Sequence, residues 1–190
     1  TIVLRFCRDK VPAEVIGATK INEKDSDADG GTFEAFVVDI TYKITSQTIV
    51  LKGDIPALRC WDNELTGLDV SKCPGLSLLQ CDYNQLTTLN VSNNPKLEYL
   101  SCDGNQLTQL DVSKNPNLTV LSCDHNKITS LDASKNPEME ILSCANNKLT
   151  SINVSNNSWL YHIDCHNNKI KAAEMSKIIK ALPDWTGKSI

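Results

Sequence analysis

The sequence predicts a mostly β solenoid, a coil whose short turns stack on one another around a shared core. Six of the eight cysteines follow one another at intervals of 21 residues: Cys60, Cys81, Cys102, Cys123, Cys144 and Cys165. An asparagine stands three residues after each of these cysteines, and a leucine or isoleucine stands two residues further on. A unit of 21 residues is too short to enclose a core alone, so neighbouring units must stack and share one.

Within each unit, the residues around the cysteine alternate between apolar and polar. Leu100 and Cys102 alternate with Tyr99, Ser101 and Asp103, and this period of two predicts a short strand. Stacked strands form a parallel sheet on the concave side of the coil. The asparagine that follows the strand has an amide that can satisfy turn backbone groups outside the sheet. About ten alternating residues separate the strands, which predicts an extended rather than helical convex side.

The regular spacing of the cysteines raises the alternatives of disulfides or a metal site. Parallel neighbours about 4.8 Å apart are wider than the Cβ separation of a disulfide, and no second ligand accompanies each cysteine. We therefore predict a ladder of buried, unpaired thiols. Cys7 and Cys73 lie outside this ladder, and Cys73 occupies a column that later turns fill with asparagine: Asn94, Asn115, Asn136 and Asn157.

Both ends of the chain depart from the repeat, because a solenoid must cover its exposed terminal turns. Residues 171–182 carry apolar residues at helical spacing and precede Pro183, which predicts a capping helix. Strand-like segments at 2–6, 35–40 and 48–52 predict a small N-terminal β cap. The predicted organisation has three parts: the β cap over 1–54, six repeats over 55–170, and the cap helix with its tail over 171–190.

The frame LxxLxCxxNxL is complete in LEYLSCDGNQL, residues 97–107, and resembles the leucine-rich-repeat family. Over residues 48–183 the 21-residue repeats with their cysteine ladder are similar to those of bacterial cell-surface proteins of the internalin-like group. The resemblance implies a right-handed solenoid, secretion or display at the cell surface, and binding of a protein or a glycan. It brings no catalytic residues, so we expect no enzyme and no cofactor.

The composition narrows the choice of partners. Lys and Arg number 19 against 23 Asp and Glu, and the net charge of -4 gives no reason to expect nucleic acid. No apolar run is long enough to predict a transmembrane segment. The chain begins with Thr1 and lacks a signal peptide, which suggests a processed or truncated product. We expect a monomer.

Outward residues of the predicted strands form columns on the concave face, and two columns are candidates for partner binding. One column is apolar. Either flanking side chains partly shield it from water, or it is a contact patch for a binding partner. The other carries carboxylates beside aromatic rings, typical of a sugar or basic-peptide site, although solvation explains the carboxylates as well. The predicted contact residues are Trp61, Leu78, Asp82, Tyr83, Tyr99, Asp103, Val120, Asp124, His125 and Ile141.

Two further clusters are weaker candidates for metals. His162, Asp164 and His166 alternate outward on the last strand, which indicates either a metal-dependent hydrolytic site, with zinc or a similar ion, or an ordinary polar patch. Asp25, Asp27 and Asp29 match the start of a calcium loop. Phe36 stands where the loop needs a bidentate acid, although Glu34 is close, so a solvated acidic turn is the alternative.

A third possibility for the whole chain is a structural spacer within a larger surface protein. The strand-like tail Lys188-Ser189-Ile190 is compatible with this alternative.

Overall fold

The computed structural model describes part of the chain, with side chains from residue 49 onward: residues 2–7, 14–16, 18–26, 37–44, 48–53 and 55–183. Over these residues the chain is a β-solenoid with one helix. Its elements are β1 (Ile2–Cys7), β2 (Glu14–Ile16), β3 (Ala18–Ser26), β4 (Val37–Ile44), β5 (Thr48–Lys52), β6 (Ala57–Arg59), β7 (Gly67–Lys72), β8 (Leu78–Gln80), β9 (Tyr99–Ser101), β10 (Val120–Ser122), β11 (Ser130–Asp132), β12 (Ile141–Ser143), β13 (Ser151–Asn153), β14 (His162–Asp164) and α1 (Ala172–Ala181).

The concave side is a parallel sheet whose strands recur at the 21-residue interval. Strands β6, β8, β9, β10, β12 and β14 pair in that order without a register shift. Five turns therefore separate the first of these strands from the last. The sequence-based prediction of a leucine-rich-repeat-type solenoid is confirmed.

The N-terminal strands continue the concave sheet. Strand β1 pairs antiparallel with β6, and β4 and β3 follow it, which gives nine strands in the order β14-β12-β10-β9-β8-β6-β1-β4-β3. The sequence pattern predicted strands near β1, β4 and β5, but not β2 and β3. The domain boundaries at residues 54 and 170 stay a prediction.

The convex side is extended in the turns where strands are assigned. Strand β5 pairs parallel with β7, and β11 pairs parallel with β13. In the last turn, α1 takes the convex position and packs Ile178 against the core. The helix begins and ends within one residue of the predicted bounds.

The cysteine ladder lies inside the coil as predicted. Cys60, Cys81, Cys102, Cys123 and Cys144 are buried, Cys165 in the last turn is half-buried, and all six are free thiols. Each thiol from Cys81 to Cys144 donates to a carbonyl of the next turn at 3.4–3.5 Å. Burial raises the pKa of the Cys102 thiol well above its usual range, so the ladder behaves as small apolar residues with weak donors.

The asparagine after each cysteine forms a ladder that we name the first asparagine ladder: Asn63, Asn84, Asn105, Asn126, Asn147 and Asn168. Asn126 shows the pattern. Its Nδ2 donates to the carbonyls of Cys102, Cys123 and Asp124 at 3.0–3.2 Å, and its Oδ1 accepts the backbone N–H of Leu107 at 2.9 Å. One amide thus satisfies backbone groups of two successive turns.

A second asparagine ladder lies at the opposite corner of the coil: Asn94, Asn115, Asn136 and Asn157. Asn115 Nδ2 donates to the carbonyls of Val91 and Asn94 at 3.0 and 2.9 Å, while its Oδ1 has no hydrogen-bond partner among the described residues. Cys73 begins this column, and its thiol donates to the Leu51 carbonyl at 3.4 Å. Cysteine and asparagine thus both supply a donor to a carbonyl of the preceding turn at this column.

The aspartates of the concave face tie each turn to the next. Asp103 accepts the Ser122 hydroxyl at 2.8 Å and the Asp124 backbone N–H at 2.7 Å. Asp82 accepts the equivalent groups from Ser101 and Asp103, and Asp124 accepts those of the following turn. These carboxylates replace strand hydrogen bonds at the point where the chain leaves the sheet.

We predict that Asn126→Ala destabilises the fold more than Asn115→Ala. Removing the Asn126 amide leaves the buried Leu107 N–H without its acceptor, whereas the Val91 and Asn94 carbonyls still accept backbone N–H groups when Asn115 is replaced. An orphaned buried donor costs about 1–3 kcal/mol, so the two free energies of unfolding should differ by roughly that amount in urea titrations. Equal losses would show that the Oδ1 contact contributes nothing.

A second prediction concerns the pH dependence of Asp103. Burial raises the pKa of Asp103, and the neighbouring carboxylates raise it further. The hydrogen bonds from Ser122 and Asp124 oppose this shift without cancelling it. The folded state therefore holds this proton more tightly than the unfolded chain, and ionisation subtracts stability as pH rises from the ordinary value of about 3.9 towards the folded pKa. Asp103→Asn should thus gain stability relative to wild type over this pH rise, as measured by urea midpoints.

Asp111 on the convex side is the matched control of opposite sign. The Ser113 backbone N–H, 2.9 Å from Asp111 Oδ1, lowers the pKa of this carboxyl. Its ionised form is the one that the fold favours, so the contribution is present at neutral pH and lost as pH falls through the folded pKa. Asp111→Asn should lose stability relative to wild type as pH rises. The same sign for both variants would contradict the interpretation.

Candidate binding surface

An apolar column runs along the concave face, as the sequence predicts. Leu78, Tyr99, Val120 and Ile141 are Cα partners of one another across four neighbouring strands, and each is half-buried. The exposed His162 continues the column on β14. Because neighbouring strands lie about 4.8 Å apart, the column is a continuous apolar strip that water reaches from one side.

The aspartate column lies on the same face, but its environment differs from the expected one. Its three aspartates are half-buried and accept hydrogen bonds from the next turn: Asp82, Asp103 and Asp124. Their first role is therefore to link the turns, and any contact with a ligand is additional. Three serines that were not predicted to have a role complete the ties: Ser101, Ser122 and Ser143. Their recurrence two residues before each following aspartate or alanine was the available signal.

The ties end where the aspartate column ends. Ala145 has no carboxylate to offer the last turn, and the His166 backbone N–H instead contacts Asp164 Oδ1 within its own turn at 3.2 Å. At the other end of the column Trp61 stands in place of aspartate, with 36% of its surface exposed.

A row of residues with left-handed backbone borders the aspartate column. We name it the left-handed row: Asp62, Tyr83, Gly104, His125, Asn146 and Asn167, with φ between 51° and 61°. The last three side chains are linked, since Asn146 Nδ2 lies 3.3 Å from His125 Nε2 and Asn167 Nδ2 donates to Asn146 Oδ1 at 2.9 Å. Tyr83 and His125 are exposed. The row thus presents an aromatic ring and polar groups along one edge of the concave face.

In the last turn one of the two histidines pairs with a carboxylate, and the three residues do not form a three-ligand site. His166 Nδ1 lies 2.6 Å from Asp164 Oδ1, and this hydrogen bond is the main reason that the pKa of Asp164 is lowered. His162 is two residues away along the strand. No group of three or more His, Cys, Asp or Glu side chains converges to hold a metal among the residues whose positions are described.

The predicted calcium loop lies largely outside the described residues. Asp27 and Asp29 fall there, and Asp25 belongs to β3 by its backbone alone.

Other exposed groups were not predicted. Trp159 and Tyr161 in the last turn are 61% and 54% exposed. A groove of about 400 Å³ lies between α1 and strands β11 and β13 on the convex side, with Ser130, Asn153 and Lys177 among its lining residues. Within the described part of the chain, no helix combines the length and apolarity that crossing a bilayer requires.

Comparison with known proteins supports the repeat assignment. A family model for two copies of the leucine-rich repeat matches residues 95–136. No curated protein matches the chain. A leucine-rich-repeat protein of Leptospira interrogans is similar in structure, with 28% identity, a TM-score of 0.56 and coverage of 59% of this chain and 31% of its own.

Two other solved structures are similar. The functional domain of InlJ from Listeria monocytogenes, which includes a cysteine ladder, has 39% identity, a TM-score of 0.48 and coverage of 60% of this chain and 30% of its own. The leucine-rich-repeat ectodomain of the receptor kinase SOBIR1 from Arabidopsis thaliana has 19% identity, a TM-score of 0.52 and 82% coverage of both chains.

The chain spans less than a third of the length of each of the two bacterial proteins. Its 21-residue repeat, its cysteine and asparagine ladders and its parallel sheet, together with the family-model match over residues 95–136, show that the chain has the leucine-rich-repeat solenoid fold.

Proposed function

We propose that the chain is a non-catalytic binding module that holds a protein partner on its concave face. The apolar column from Leu78 to Ile141 is the observation that carries this proposal. It stands half-exposed and in register on a rigid sheet, and contiguous exposed apolar surface typically marks a contact site. The proposed contact residues are Trp61, Leu78, Asp82, Tyr83, Tyr99, Asp103, Val120, Asp124, His125 and Ile141.

The chemistry of the column favours protein side chains as its ligand. Val120 and Ile141 offer no hydrogen bond to a hydroxyl-rich ligand. Contact with apolar atoms of a protein partner removes water from these side chains and lowers the free energy of the complex. Tyr99 adds an amphipathic ring of the kind enriched at protein interfaces. The serines beside the column supply polar groups at its margin.

The absence of an enzymatic role is part of the same proposal. Leucine-rich-repeat proteins are generally binding modules without catalysis, and the concave face is an open strip, whereas catalysis needs a water-excluding pocket. The Asp164–His166 pair is exposed on the last turn. We also propose that the chain acts as a monomer.

Secretion or display at a bacterial surface is the proposed location. The similarity to a Leptospira interrogans protein supports a bacterial origin. Buried thiols whose pKa is raised by burial, such as those of Cys81 and Cys123, are unreactive and suit an oxidising environment despite being unpaired.

We expect that the double variant Tyr99→Glu/Val120→Glu loses its partner while the fold persists, because two charges would be buried in an apolar contact. The intact chain is immobilised and exposed to solubilised cell-surface proteins, and the retained proteins are quantified by mass spectrometry. A truncated central hot spot costs about 2 kcal/mol or more, which is over an order of magnitude in affinity.

The matched control places the same charges on the convex side, as Gln109→Glu/Ser130→Glu. A protein retained by wild type and by the control, but lost by the concave variant, supports the proposal. If no protein is retained, or if the concave variant retains every protein equally well, the concave face is not the binding site and the spacer hypothesis gains support. Circular dichroism of all variants checks that they fold.

A further inference from the structure

Tyr83 is an unusual residue for its place in the left-handed row. Its backbone has φ of 52°, a region that asparagine, aspartate, histidine and glycine tolerate but that a bulky aromatic residue rarely adopts. The other members of the row are all of those tolerant types. An aromatic side chain is held here against its conformational preference, and such strain points to a use for the ring.

Gly104 in the next turn is the partner that makes room for this ring. A Cβ atom on Gly104 would stand 2.6 Å from Cδ1 and 3.1 Å from Cε1 of Tyr83, so any side chain there would displace the ring. The ring therefore lies against the bare backbone of the next turn. At this position of the repeat, two adjacent turns carry a tyrosine and a glycine, whereas the later turns carry histidine and asparagine.

The supported ring is still open to solvent, with 64% of the Tyr83 surface exposed. One side rests on Gly104, so binding a flat ligand on the open side costs little side-chain entropy. Beyond Gly104 the linked His125, Asn146 and Asn167 side chains continue the row with both donors and acceptors. A stacking platform is thus followed by a polar track.

We propose that Tyr83 is a platform for a sugar ring and that the left-handed row binds a saccharide chain along the edge of the concave face. The C–H groups on one face of a pyranose carry partial positive charge and suit the negative face of an aromatic ring. The hydroxyl groups of the next sugars both donate and accept hydrogen bonds, as do the amides of Asn146 and Asn167.

A saccharide fits this row better than a cationic side chain of a protein. The neighbouring carboxylates of Asp82 and Asp103 already accept hydroxyl and backbone N–H groups. Beyond the ring the row carries the imidazole of His125 and the amides of Asn146 and Asn167, and before the ring it carries the carboxylate of Asp62. All of these groups can hydrogen-bond to sugar hydroxyls. The aspartate column lies between this row and the apolar column. Tyr83 and His125 are contact residues in both proposals, so the saccharide site extends the proposed binding function and is tested separately from it.

The test is affinity electrophoresis of the intact chain in gels that contain a neutral β-glucan, a xylan, a galactomannan or glycol chitin. Wild type should be retarded by at least one of these polysaccharides. Tyr83→Ala should weaken the retardation about tenfold, the size of one lost aromatic contact, whereas Tyr83→Phe keeps the stacking ring and should bind within about threefold of wild type. Gly104→Ala should also weaken binding, because it displaces the ring.

Tyr161→Ala is the matched control, since Tyr161 is another exposed tyrosine, on the last turn and outside the row. It should bind as wild type does. Absence of retardation in all four gels, or equal retardation of wild type and Tyr83→Ala, overturns the proposal. A failure here leaves the apolar column untouched, because protein retention is measured separately with the Tyr99→Glu/Val120→Glu variant.

Discussion

The whole coil depends on one asparagine amide in each turn, which is buried in the four turns from Asn84 to Asn147. Where the chain leaves a concave strand, its backbone groups pass beyond the reach of the sheet, and leaving them unpaired inside the core is costly. Asn105 solves this by donating to the Cys81 and Cys102 carbonyls at 3.0 and 3.1 Å while accepting the Leu86 N–H at 3.0 Å. Because each amide joins two turns, one turn cannot adopt its shape without the next.

This coupling fixes what the concave face can display. When every turn repeats the same hydrogen bonds, side chains at equivalent positions fall into columns at the spacing of strands. Several columns are then used by the scaffold itself: asparagine and cysteine point inward, and Asp103 is bound to Ser122 and the backbone of the next turn. The side chains of the apolar column and of the left-handed row make no such ties between most turns, so they are the most available to a ligand.

The sequence was sufficient for features that depend on period alone. The cysteine spacing and the alternation around Leu100 predicted the ladder, the parallel sheet and the outward columns, and the apolar spacing after Lys171 predicted α1 within one residue at each end. Features that depend on contacts between turns were missed. To predict the hydrogen bond between Ser122 and Asp103, one must know that these side chains lean towards each other between neighbouring strands. The antiparallel pairing of β1 with β6 joins segments that share no sequence pattern.

The same distinction explains why the aromatic platform was not visible in the sequence. Tyr83 was predicted to be a contact residue, but the significance of Gly104 appears only when the two residues are seen in contact. A glycine within an otherwise regular repeat looks like degeneracy of the pattern, whereas in the coil it is the support on which the ring lies. Irregular residues in a repeat protein are therefore informative because the scaffold does not need them. Residues that the scaffold does not require are the ones that can vary to suit a ligand.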